Sequence, residues 1–189
     1  MKERPILFSG PMVRAILEGR KTQTRRVVNI DIDPKVGRFL EADPSGFWGF
    51  ANDDHFPIQC IHCPYGIKGD RLWVRETWTP VSTYEPSAET GALYKADFIG
   101  SEDFVDWRWK PSIHMPRWAS RITLEITGLR VERLQEISEA DAIAEGIQHR
   151  TMNNPIVEFQ WLWESISGPG SWAMNPWVWV LEFERGGDA

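Results

Sequence analysis

Apolar positions fall into short blocks whose spacing changes repeatedly along the chain. Ile6-Leu7-Phe8 carries the signal of a short buried strand. Ser9 follows at a helix N-cap position, with Pro11 in the first turn, where its missing N–H does no harm. Met12, Val13, Ile16 and Leu17 recur at helical spacing, and Gly19 supplies the left-handed residue that ends a helix. Residues 22–28, rich in β-branched side chains, predict a strand. Arg20 and Lys21 therefore fall in a tight helix-to-strand turn, the first place to look for chemistry.

Residues 29–69 lose this regularity. Asp-Pro, Pro-Ser-Gly-Phe-Trp-Gly and Cys-Pro-Tyr-Gly punctuate them, which predicts an insertion with at most short strands. Gly69-Asp70 then turns into a strand over 71–76. A second loop-rich stretch, 79–117, holds one strand near 92–96 and a Trp/Lys/Pro segment before His114. Residues 121–134 give the clearest β pattern. Ile122, Leu124, Ile126, Leu129, Val131 and Leu134 alternate with polar residues, apart from a one-residue phase shift at Gly128 that predicts a bulge.

Ser138 opens a helix as its N-cap, with Glu139 and Asp141 in the first turn, Ala140, Ile143 and Ala144 on its inner face, and Gly146 at its end. A further helix over 158–166 places Phe159, Leu162, Trp163 and Ile166 on one face, and 177–183 closes the chain as a strand. The pattern predicts one α+β domain over residues 1–189: a small mixed β-barrel, about three short flanking helices, and two long loop insertions at 29–69 and 79–117.

Composition narrows the class. A chain of 189 residues, 42% hydrophobic and 25% charged, builds one sizeable core and is not a disordered segment. No apolar run approaches the roughly 18 residues of a membrane span. Met-Lys-Glu-Arg-Pro leads straight into a short strand without a signal-peptide core, and two cysteines make no disulfide framework. A soluble, cytoplasmic protein is expected, with no membrane partner.

The net charge of −6 is unevenly spread: residues 1–26 carry seven Lys or Arg against Glu3 and Glu18, a local +5. An acidic protein with one basic segment is not a general nucleic-acid coat, which needs many phosphate contacts. The distribution suits a focused pocket for one nucleotide, or for a short single-stranded stretch of RNA or DNA. Eleven tryptophans serve either as core filling or, for one or two of them, as a stacking platform for a base.

Gly19-Arg20-Lys21-Thr22-Gln23-Thr24-Arg25-Arg26 resembles the ASCH superfamily, a branch of the PUA-like barrels, whose motif after the first helix is G-x-K-x-x-E-x-R. Gly19, Lys21 and Arg26 match, and Thr24 stands where that motif has Glu. Small bacterial N(4)-acetylcytidine amidohydrolases of the superfamily have G-R-K-T-x-T at this turn, which the chain reproduces from Gly19 to Thr24. Gly69-Asp70-Arg71-Leu72-Trp73-Val74-Arg75-Glu76 and the Trp-rich C-terminal part look like a larger ASCH subfamily carried by phages and prophages. The resemblance implies a PUA-like fold and a metal-independent, cofactor-free amidohydrolase acting on N(4)-acylated cytosine or cytidine. It implies Lys21 as proton acceptor, Thr24 as nucleophile and Glu145 as proton donor, with Glu139 as the alternative to Glu145. Its other implication is a non-catalytic RNA- or DNA-binding module that reads a modified or flipped base.

The residue types suit these roles. A threonine hydroxyl needs a base within about 2.6–3.2 Å to act as a nucleophile. Lys21 serves as that base only if its pKa falls by several units from about 10.4; neighbouring Arg20, Arg25 and Arg26, or burial, would push it that way. Glu145 sits at the negative end of its helix, where an ionised carboxylate is penalised by about 0.3–1 kcal/mol, as suits a proton donor. Arg26 would steady the oxyanion or the base carbonyl. Arg75 and Glu76 at a strand end, with Trp78 beyond, would bind the substrate, Glu76 accepting from the cytosine amino group and Trp78 stacking on the ring; a strand-edge salt bridge is the equal alternative. Cys60-x-x-Cys63 with His62 is half a zinc site, which His55 and His114 would complete only if the fold brought them near. Two packed thiols are the default reading, and no metal is expected.

Overall fold

The computed structural model describes residues 1–29, 38–40, 47–51, 57–81, 91–98, 108–147 and 154–186. Along the chain run β1 (Glu3–Leu7), α1 (Gly10–Leu17), β2 (Gln23–Val27), β3 (Arg38–Leu40), β4 (Phe47–Ala51), β5 (Pro57–His62), β6 (Arg71–Arg75), β7 (Trp78–Pro80), β8 (Ala92–Tyr94), β9 (Thr123–Arg133), α2 (Glu139–Ala144), α3 (Pro155–Ser167) and β10 (Trp177–Arg185).

β10 organises the molecule. Its run Trp177-Val178-Trp179-Val180-Leu181 has apolar residues on both faces, as a strand covered on both sides requires. Val178 and Val180 join Leu134, Ile137, Ala142, Phe159 and Trp163 in one apolar cluster. Trp179, Leu181 and Phe183 join a larger cluster with Ile6, Val13, Leu72, Leu124 and Trp48. β10 pairs antiparallel with β9 on one side and β2 on the other, giving a five-stranded sheet in the order β1-β6-β9-β10-β2, with β1 and β6 parallel. The register of β9 on β10 shifts between Glu182 and Phe183, opposite Gly128 and Ile126. This is the bulge the phase shift predicts. A Cβ at Gly128 would meet the Glu182 carboxylate, which would have to move aside.

β1 and β2 are the edges of this sheet, and among the described residues no strand pairing joins them. The closed barrel expected from the sequence pattern is therefore an open sheet in the described structure, within a mixed α+β fold. The three expected helices are present, and Ser138 caps α2 reciprocally with Asp141. The stretch 29–69 holds more order than its punctuation suggests, since β3, β4 and β5 form an antiparallel sheet. Trp48 of β4 meets Trp179 edge-on with ring centroids 5.8 Å apart, which binds this sheet to the core. No helix among the described residues is long and apolar enough to cross a membrane.

Candidate functional site

Two helix ends far apart in sequence lock together to make the site. Beyond α1, Gly19 adopts φ +72°, and the backbone N–H groups of Arg20 and Lys21 both donate to the Ala15 carbonyl, at 2.9 and 3.0 Å. Lys21 then pairs antiparallel with Glu145, just past α2, and the Thr22 N–H donates to the Ala144 carbonyl at 2.9 Å. Gly146 follows at φ +92°, where a Cβ would stand 3.0 Å from the Cβ atoms of both Ala15 and Lys21. Only glycine allows this close approach with this backbone. The Arg20 guanidinium closes the junction on the Gly146 carbonyl at 3.0 Å.

Lys21, Thr24, Arg25 and Glu145 are each at most 4% exposed. Lys21 Nζ donates to Glu145 Oε2 at 2.7 Å, to the Glu145 carbonyl at 2.8 Å and to the Gln23 carbonyl at 2.8 Å. The other carboxylate oxygen of Glu145 accepts from Arg25 Nη1 at 3.2 Å. One buried carboxylate thus sits between two cations. Burial holds the Lys21 amine below its usual pKa; Glu145 works against that, while Arg26 and Arg25 reinforce it.

An outer layer of charge supports the inner one. Arg25 Nη2 reaches Glu132, and Asp141 at 3.4 Å; its Nη1 donates to Gln23 Oε1 at 2.7 Å. Arg130 bridges Glu132, Asp141 and Glu182 at the sheet face. Burial pushes the Asp141 carboxyl up, but hydrogen bonds from Ser138 and Gln23 and the Arg25 charge outweigh it and hold the group at about 2.

These residues border a cavity of about 460 Å³, in the size range of small-molecule sites (about 300–1,000 Å³). Lys21, Thr24, Arg26 and Glu145 all line it, as do Phe8, Met12 and the α3 face of Phe159, Leu162, Trp163 and Ile166. The face that the sequence assigns to Phe159, Leu162, Trp163 and Ile166 is thus a cavity wall, with Phe159 and Trp163 also packed in the core beneath it. Both Lys21 Nζ and the Arg26 guanidinium stand over the Phe8 ring, 5.6 and 5.2 Å from its centroid, and Arg26 Nη2 is tied to the Leu7 carbonyl at 2.7 Å. The structure therefore gathers the three expected catalytic residues and Arg26 around one space. Arg25, Phe8 and the α3 wall also line it, and Gln23 joins through its bonds to Lys21 and Arg25; sequence reasoning had given Arg25 only the role of a charge near Lys21 and the others none. Glu139 is not an alternative to Glu145: it is exposed and accepts from Asn154 at 2.7 Å.

Three expected substrate-binding residues stand elsewhere. The cavity takes Thr77 from their segment, but Arg75, Glu76 and Trp78 are not among its lining residues. Arg75 donates to the Met115 carbonyl at 2.9 Å and lies over the Trp73 ring. Glu76 is buried against Arg121, which also holds Asp97 and covers the Tyr94 ring. Trp78 is buried edge-on against Trp118. Of the expected tryptophans, Trp163 reaches the cavity; Trp107 lies outside the described residues.

The cysteine motif is exposed at Cys60 and buried at Cys63, both as free thiols. Burial raises the Cys63 thiol to about 11, so it is protonated at neutral pH. Among the described residues no three His, Cys, Asp or Glu side chains are grouped to hold a metal ion; His55 lies outside them. Comparison of the chain with protein-family models, curated proteins and solved structures finds no match.

Proposed function

We propose that the chain is a PUA-like protein of the ASCH superfamily, working in the cytoplasm as a metal-independent amidohydrolase that removes the acyl group from N(4)-acylated cytosine or cytidine. The observation that carries this reading is the 2.7 Å contact of Lys21 Nζ with Glu145 on the wall of a cavity also lined by Thr24 and Arg26. Neutral Lys21 takes the proton of Thr24 as Oγ attacks the acyl carbonyl, and the oxyanion develops beside Arg26. The proton crosses the Lys21–Glu145 hydrogen bond, and Glu145 delivers it to the departing 4-amino group. The C–N bond breaks, leaving an acyl ester on Thr24. Water then attacks that ester; Lys21 takes the water proton and returns it to Thr24 Oγ, releasing the carboxylic acid.

The experiment is release of cytidine from N(4)-acetylcytidine by the purified protein, against Lys21→Ala and Thr24→Ala. Each variant is expected to lose several orders of magnitude in turnover with its circular dichroism unchanged. Turnover near wild type in either folded variant refutes the assigned roles.

One observation favours a second reading. All three protons of an ammonium at Lys21 have acceptors, in Gln23 and Glu145, an arrangement that also suits a static wall. On that reading the cavity holds a modified or flipped base of RNA or DNA without turning it over. Salt-sensitive oligonucleotide binding with no cytidine release supports it.

A further inference from the structure

We propose that Arg25 is a positioning residue: as the permanent counter-ion of Glu145, it allows Lys21 to stand neutral and ready to accept a proton. The inference rests on the reading of Lys21 and Glu145 as the working pair.

A neutral Lys21 leaves Glu145 without its nearest cation, and an unpaired buried carboxylate is strongly disfavoured. Arg25 removes that obstacle. Its side chain is fully buried, and its Nη1 lies 3.2 Å from Glu145 Oε1, the oxygen that Lys21 does not use. A guanidinium keeps its charge throughout the working pH range, whereas an amine does not. Its position is fixed at both terminal nitrogens and one face: Nη1 also bonds Gln23 Oε1 at 2.7 Å, Nη2 engages Glu132 and Asp141, and the Phe159 ring covers it with its centroid 5.8 Å from Cζ. The buried Nε has no hydrogen-bond partner among the described residues.

Gln23 makes the coupling geometric. Its carbonyl accepts from Lys21, its side-chain oxygen accepts from Arg25, and its amide nitrogen donates to Asp141 at 3.0 Å. The two cations are thus held to one residue and to opposite oxygens of one carboxylate.

The groups facing Lys21 can be named element by element. Beyond α2 there is Glu145, with Asp141 behind it on α2. On β2 there are Arg25 and Arg26, with Tyr65 beyond Arg26. β9 contributes Glu132 through Arg25, and the β1–α1 segment contributes the uncharged Phe8 ring. In the turn, Arg20 is directed to Glu18 and the Gly146 carbonyl.

The test reads Lys21 directly. The protein is labelled at the lysine ε-carbons, the Lys21 signal is assigned by its loss in Lys21→Met, and its titration is followed by NMR in wild type, Arg25→Gln, Arg25→Lys and Glu132→Gln. Losing the Arg25 charge is expected to raise the Lys21 midpoint by about one pH unit, and Arg25→Lys to recover most of that. Glu132→Gln, which strips a partner from Arg25, is expected to move it down. In cytidine release, Arg25→Gln is expected to lower kcat about tenfold below the midpoint, with recovery as pH rises and KM little changed. An unmoved Lys21 midpoint in folded Arg25→Gln overturns the proposal; if that variant does not fold, an unmoved midpoint in Glu132→Gln does so. The NMR readout needs no turnover. A wild type that releases no cytidine therefore counts against the amidohydrolase reading, while the midpoints still judge Arg25.

Discussion

Replacing Glu145 with Gln should destabilise the protein in a way that depends on pH. The amide keeps the shape of the carboxylate and removes its charge, so the buried Lys21 and Arg25 lose their shared anion. Removing one partner of a buried pair costs about 3–5 kcal/mol. Here the ammonium keeps two carbonyl acceptors, from Gln23 and residue 145, and Arg25 keeps Glu132 and Asp141. About 3 kcal/mol is therefore expected well below the Lys21 midpoint. The Lys21 amine is already below its ordinary value through burial, and Glu145 is what opposes that fall. In Glu145→Gln its folded pKa drops further beneath the unfolded one. The unfolded chain then binds more protons than the folded one over a wider range, so the stability of the variant rises with pH through that range. Once pH exceeds the wild-type Lys21 midpoint, the amine is neutral in both proteins and this penalty vanishes. Only the weaker loss at Arg25 should then remain, about 1 kcal/mol. Urea denaturation of both proteins about two pH units below and about two above the Lys21 midpoint read by NMR measures the difference. A loss equal at both pH values, or absent at both, would refute the coupled-pair reasoning.

Gly146→Ala places a Cβ at φ +92°, 3.0 Å from Lys21 Cβ and Ala15 Cβ; a loss of about 1–3 kcal/mol in urea denaturation is expected, with a matching fall in any turnover. Asp141 has a folded pKa of about 2 against an ordinary 3.8, so its contribution is present above pH 4 and lost as pH falls towards 2. Asp141→Asn should therefore be about 2 kcal/mol less stable at neutral pH and show a shallower acid limb, read by thermal denaturation from pH 6 down to about 2.

Local signals that end or open an element were reliable, but the inner face of α2 was not: Ala142 is buried there, whereas Ala140 and Ile143 are exposed. Gly19 ends α1, Ser138 opens α2, and the phase shift at Gly128 marks the β9–β10 register change, because each is decided by a few neighbouring residues. Lys21, Thr24, Arg26 and Glu145 were legible through the G-R-K-T-x-T run and the helix following the long strand. Arg25 read only as a charge near Lys21. Its acidic partners come from β9 and α2, more than a hundred residues away, and no local pattern announces that they cover that face of β2. Glu76 shows the same blindness in the other direction. At a strand end it read equally as a ligand-binding carboxylate or a salt-bridge partner, and the structure shows the salt bridge, to Arg121, 45 residues on, which no local pattern named. The α3 face illustrates a subtler limit: 3.6-residue spacing identifies an apolar face but does not distinguish packed core from cavity wall.

The charge layout also bears on how, in the proposed reaction, one carboxylate could be both a stable buried anion and a proton donor. If acceptor and donor were independent groups, the proposed cycle would need Glu145 to begin as a neutral acid although two cations contact its two oxygens. A relay removes that requirement. In the proposed reaction, starting from neutral Lys21 and anionic Glu145, the Thr24 proton would enter at Nζ, cross the 2.7 Å bond to Oε2 and leave on the amine, so Glu145 would be protonated only in passing. Arg25 holds the opposite oxygen throughout, stabilising the anion at the start and end of the cycle without occupying the oxygen that carries the proton. The relay therefore requires turnover to rise with pH through the Lys21 midpoint, and turnover that stays flat or falls there would refute it.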